Sequence, residues 1–204
     1  MPSIHRATLA GLVLSTIAAC AITPTLEERE QSYLSLSEDY FRSTLNVVDD
    51  PLNPSINIST RESYQDYQFS FGPKDDQFLR GMKFRDTGKV VLQGYVSSDI
   101  NGVWLSPISI TFEHTLSTRP VDRIAFDANR CSSYGCMHYE EMVFALTLEE
   151  LDAAIAALEQ RGETTLKFRI KGQNGVDRDG RFHANELKAF RDAVRETFAN
   201  QVSP

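Results

Sequence analysis

The sequence predicts an α+β domain: an N-terminal helix, an antiparallel sheet of about six to eight strands, then a helix, a strand and a helix packed on one face of that sheet. Three observations predict it. Apolar residues recur at helical spacing over residues 25–45. From residue 56 to about residue 146 the period changes to two, and no helix-length stripe interrupts the run, so the strands connect by hairpins and run antiparallel. After residue 147 helical stripes return on either side of one strongly alternating segment. A hydrophobic content of 41% with 10% aromatics is that of a packed core, and 204 residues suit a single domain.

The chain begins with a segment that stands outside this domain. Arg6 gives a positive start, and residues 7–17 are almost wholly apolar. That run is far short of the ~20 residues a bilayer-crossing helix needs, and it reads as a secretory signal. Ile17-Ala18-Ala19-Cys20 closes it, a branched residue and two small residues before a cysteine. This stretch resembles the lipobox of bacterial lipoproteins; an ordinary cleaved signal that happens to contain Cys20 is the competing reading. The resemblance implies that residues 1–19 are a signal peptide, that Cys20 carries the acyl chains, and that the membrane is the first partner. It further implies a place in the bacterial cell envelope, on the periplasmic face. Ala21 stands where an Asp would retain the protein at the inner membrane, which points to the outer membrane.

On that resemblance residues 20–24 are expected to form a short lipidated tether, and residues 25–204 the periplasmic domain. Thr25 and Glu28 have the spacing of a capping box, and Leu26, Tyr33, Leu34, Tyr40, Phe41 and Leu45 form the stripe of the helix over 25–45, a stalk or a brace. Asp49-Asp50-Pro51 and Asn53-Pro54 stop it. Tyr67, Phe69 and Phe71 then alternate with polar residues. Residues 78–85 and 89–97 flank Asp86-Thr87-Gly88, a hairpin signal. Ile108, Ile110 and Phe112, then Ile124 and Phe126, then Met142, Phe144 and Leu146 continue the alternation. Thr147 and Glu150 make a second capping box for a helix bearing Leu148, Leu151, Ile155 and Leu158, closed by Gly162. Leu166, Phe168 and Ile170 alternate with Lys167, Arg169 and Lys171, and Leu187, Phe190, Val194, Phe198 and Val202 mark a terminal helix.

A net charge of −7 argues against nucleic acid, which calls for clustered cations. With Cys20 given to lipid, Cys131 and Cys136 are left as a pair in an oxidising compartment, and a disulfide between them is expected. The competing metal reading recruits both cysteines, His138 and a fourth ligand such as His114 or Glu140, but the spacing is no zinc pattern. Tyr134, His138 and Tyr139 on the stapled loop are the residue types of a recognition surface. Residues 175–186 resemble an EF-hand loop in part, with Asp177, Asp179, the Arg181 carbonyl and Glu186 as calcium ligands and Gly180 at the sharp turn. Gly175 replaces the first acidic ligand, and Asn174-Gly175 equally signals a hairpin. Trp104 reads as core or as a hairpin anchor. The adjacent acids Asp49 and Asp50, Asp75 and Asp76, and Glu140 and Glu141 read as solvated charge. No nucleophile elbow, HExxH, GxGxxG, phosphate loop or SxxK occurs. The reading is therefore a non-catalytic, membrane-anchored envelope lipoprotein that binds an envelope protein or component, without a cofactor. A calcium module, and a hydrolase with a site near His138 or His114, are the alternatives.

Overall fold

A computed structural model describes residues 25–60, 64–66, 75–113, 117–133 and 135–199. The expected α+β class is found, with two antiparallel sheets instead of one. Cys20, His114, Tyr134, the alternation at Tyr67, Phe69 and Phe71, and Val202 lie outside the described residues.

The N-terminal segment is two helices, α1 (Leu26–Leu34) and α2 (Glu38–Thr44). Thr25 and Glu28 form the expected capping box on α1. The expected single helix breaks because serines compete with its backbone: the Ser35 hydroxyl donates to Ser32 O at 2.8 Å, and Ser37 Oγ accepts the Tyr40 N–H at 3.2 Å to start α2. Strands β1 (Asn46–Val48), β2 (Ser55–Ser59) and β3 (Tyr64–Asp66) follow. Next come β4 (Asp75–Phe84) and β5 (Val90–Asn101), joined through the turn read at Asp86-Thr87-Gly88. The chain continues through β6 (Pro107–Phe112), β7 (Arg119–Pro120), β8 (Asp122–Ser132) and β9 (Gly135–Leu146). Helix α3 (Leu148–Arg161) has the capping box Thr147/Glu150 and ends at Gly162 in the left-handed region. The hairpin β10 (Thr165–Gly172) and β11 (Asp177–His183) leads into α4 (Ala184–Ala199).

The large sheet has seven strands in the order β1-β2-β4-β5-β9-β8, with β3 beside β4, and the small sheet runs β11-β10-β6-β7. One face of the large sheet carries Leu79, Leu92, Val96, Met142, Phe144 and Leu146, all buried. The small sheet packs on it through Ile110, Phe112, Leu166, Phe168, Ile170 and Phe182. Phe144 meets Phe112 at 5.5 Å, Phe168 at 6.1 Å and Phe182 at 6.3 Å between ring centroids, so the aromatics stitch the two sheets together. Beside the small sheet, α4 covers β2 and β4 with Leu187, Phe190, Val194 and Phe198, the positions the helical stripe predicts. Helix α3 packs on α4 and β10, and α2 packs on the far side of α4. No helix among the described residues is long and apolar enough to cross a membrane.

Strand β11 occupies the stretch read as a calcium loop. It escapes the alternation signal because Gly180 sits where its inward face needs an apolar side chain. A Cβ there would come within 2.3 Å of the Phe168 ring, which fills the space from the neighbouring strand.

Candidate functional site

The two strands that carry the cysteines form a hairpin in which Ser132 pairs with Gly135, and the disulfide Cys131–Cys136 joins them as expected. Consecutive residues of a strand face opposite ways, so β9 separates two residues that the sequence places together. Tyr139 lies on the outer face of the large sheet, where its hydroxyl donates to Glu141 Oε1 at 2.5 Å. Burial and that carboxylate push its phenol up to about 12, and burial raises Tyr95 beside it as well. His138 lies on the inner face, at the end of the large sheet that the small sheet leaves open. The expected recognition trio is thus not one surface: His138 and Tyr139 are split by strand parity, and Tyr134 is outside the described residues.

On its own face His138 belongs to an aromatic cluster. The Trp104 ring lies 4.3 Å from the His138 ring and 5.7 Å from Phe126, which it meets edge to face at 82°. The Arg123 guanidinium sits over Phe126 at 4.5 Å. The register of β8 on β9 sets this arrangement, with Phe126 opposite Glu140 and Ala128 opposite His138. A bulge between Arg123 and Ala125 turns Arg123 to the same face. Trp104 is half-buried, and Phe126 is 63% exposed. Ile124 on the same edge strand and Ile108 at the start of β6, which touches β8, are exposed too.

Beneath the cluster lies Glu140. It is not the solvated acid its pairing with Glu141 suggests but is 1% exposed. Its carboxylate takes the Leu105 N–H at 2.6 Å, the Ser106 N–H at 3.1 Å and Arg123 Nη1 at 2.9 Å. A buried carboxylate is tolerated only when its lone pairs are met in this way. These bonds also hold the chain at Ser106, whose φ of 47° is rare for a residue with a side chain, and so fix the loop that presents Trp104. One carboxylate therefore positions both rings: Trp104 through the loop, and Phe126 through Arg123.

A second feature is a cavity of about 680 Å³ on the outer face of the small sheet, lined by Thr111, Glu113, Lys167, Arg169, Lys171, Asp179 and Arg181 among others. Three of its cations are held in ion pairs. Lys167 meets Glu113 at 3.5 Å, Arg169 grips Asp179 at 2.6 and 2.8 Å, and Arg181 pairs with Glu30 of α1. The Arg169 guanidinium holds the Asp179 carboxyl below its usual range. A laced surface of this kind contributes little stability per pair.

Residues 175–186 do not take the loop shape that the EF-hand resemblance implies. The stretch is a turn at Gly175 (φ 71°), a strand, and the first turn of α4. Asp177 and Asp179 project from an extended strand and not from a loop that curls around a centre. The Arg181 carbonyl accepts from Gln77 Nε2, and Glu186 is wholly buried, taking the Thr60 hydroxyl at 2.6 Å. Among the described residues no group of three or more His, Cys, Asp or Glu is arranged to hold a metal ion.

The chain was compared with protein-family models, with curated proteins and with solved structures, and none of them matches.

Proposed function

We propose that the chain is a lipid-anchored protein of the bacterial cell envelope whose domain binds an envelope protein or component without catalysis, and that Trp104 and Phe126 are its contact anchors. One observation carries the binding surface: a phenylalanine 63% exposed yet clamped between an indole and a guanidinium. Exposed apolar patches on a protein surface mark interaction sites, and rigid aromatics with a flanking arginine are the residue types that dominate binding energy. Holding both rings in place before contact lowers the ordering cost of association. The disulfide and the Glu140 network supply that rigidity. The anchor rests on Ile17-Ala18-Ala19-Cys20 alone, with the outer membrane as its expected site.

Chemical crosslinking in intact envelopes, followed by solubilisation, tests the binding half. The wild-type chain is expected in a covalent complex that Phe126→Ser and Trp104→Ala abolish. Recovery of the wild type only as free monomer, or equal yields from all three, sinks the assignment. Fractionation of a Cys20→Ser chain tests the anchor separately. Release from membranes with the fold intact is expected, and continued tight attachment refutes it.

A further inference from the structure

The N-terminal helices are joined to the domain at one histidine. His183 ends β11 and is 2% exposed. Its Nε2 lies 3.3 Å from the carbonyl of Leu34, the last residue of α1, and its Nδ1 lies 3.1 Å from the N–H of Asn185 in the first turn of α4. A carbonyl can only accept and a backbone N–H can only donate, so the partners fix the tautomer: the proton is on Nε2, and Nδ1 is bare. His183 is thus the N-cap of α4 and the C-terminal tie of α1 in one ring. Tyr33 of α1 stands edge-on to the imidazole at 5.4 Å and Phe41 of α2 lies against it at 5.2 Å. Those two rings and Ala189 make a small core of their own, separate from the main one. Asn185 Nδ2 donates to Leu36 O at 2.9 Å, in the link between the two helices.

We propose that His183 is an acid-sensitive latch that docks the arm formed by α1 and α2 on the domain when neutral and lets it go when protonated. A second proton has one place to bind, Nδ1, and there it meets the Asn185 N–H head-on. The cap is lost, and a cation stands at the N-terminus of α4, where the helix dipole disfavours it. The charged groups around the ring do not reverse this. From α4, the Glu186 carboxylate faces His183, and both of its oxygens are engaged: Oε1 takes the Thr60 hydroxyl at 2.6 Å and Oε2 the His183 backbone N–H at 3.4 Å. From α1, the Tyr33 phenol borders the ring, and Glu30 is paired with Arg181, the cation that lies over Tyr33. From α2 comes the apolar Phe41 ring.

Burial lowers the imidazole from its ordinary value, against a smaller opposing pull from the Leu34 carbonyl. The sign follows: docking is fully supported above the ordinary histidine range and weakens as pH falls through and below it, because the undocked ring takes the proton more readily. Between the undocked and the docked values each pH unit costs docking about tenfold, and below both the loss is complete and grows no further. The stalk and the brace are then two states of one segment, a brace at neutral pH and a stalk in acid.

Amide hydrogen exchange on the full chain tests the latch. Compared at pH 7.5 and 5.0 after correction for intrinsic rates, residues 26–45 are expected to lose protection about tenfold or more in acid while α3 keeps its own. In His183→Asn, which retains a capping acceptor and cannot titrate there, arm protection is expected to be the same at both pH values. Should that variant not fold, the imidazole of the wild type is titrated by NMR and must change protonation over the pH range in which the arm loses protection. An arm equally protected at both pH values overturns the proposal, as does a His183→Asn arm that opens in acid as the wild type does. None of these readouts depends on lipid at Cys20 or on a partner at Phe126.

Discussion

The two ends of the small sheet are built alike and finished differently. Each rests on a fully buried glutamate: Glu186 (0% exposed) at the His183 end and Glu140 (1%) at the Trp104 end. Each carboxylate accepts from backbone and side-chain donors and fixes a short segment above it, the start of α4 in one case and the Leu105–Ser106 loop in the other. Above Glu186, the rings of Tyr33 and Phe41 are 6% and 1% exposed, because α1 and α2 close over that end. Above Glu140, Phe126 remains 63% exposed. The open end is therefore not the weakly built one. Its apolar surface is anchored from below by a buried carboxylate just as the closed end's is, and on the proposed reading those uncovered rings are where a partner docks.

Substitutions break this comparison at graded cost. Glu186→Ala should be the most severe, since it strands the Thr60 hydroxyl and the His183 N–H in the core. A loss of about 4 kcal/mol is expected, which in a domain of this size lowers the melting midpoint by roughly 8–16 °C. Glu140→Ala should cost somewhat less, about 3 kcal/mol, because Arg123 is a third exposed and can turn to water. It should also free Trp104, read as a red shift of the fluorescence from this single tryptophan. Replacing Cys131 and Cys136 with serine opens a short loop and should cost about 2 kcal/mol in thermal melts. Phe126→Ser should leave stability within about 0.5 kcal/mol, as surface changes do. A large drop in stability there would show that Phe126 belongs to the core and that the two ends do not differ as described.

Much of this architecture was legible in the sequence, and the failures share a cause. Thr147, Glu150 and Gly162 frame α3 by local chemistry, and Asp86-Thr87-Gly88 turns β4 into β5 in the same way. Local signals fail where a partner distant in sequence supplies what is missing. Strand β11 was hidden because Phe168 of β10 fills the space over Gly180, so no apolar residue marks that position. The break between α1 and α2 turns on the serine hydroxyls at residues 35 and 37, which an apolar stripe does not register. Glu140 resembles any acid in an acidic pair until β8 and the Leu105 loop arrive with three donors. Trp104, Phe126 and His138 come from a loop and two strands. Their meeting is a matter of strand register, including a bulge that nothing in the sequence of β8 announces.

The most direct test of the open end is a photo-crosslinking residue placed at position 126 in intact envelopes, with the same residue at exposed position 86 in the β4–β5 turn as reference. The account predicts a discrete adduct from position 126 and none from position 86. No adduct from 126, or the same adducts from both, would contradict it.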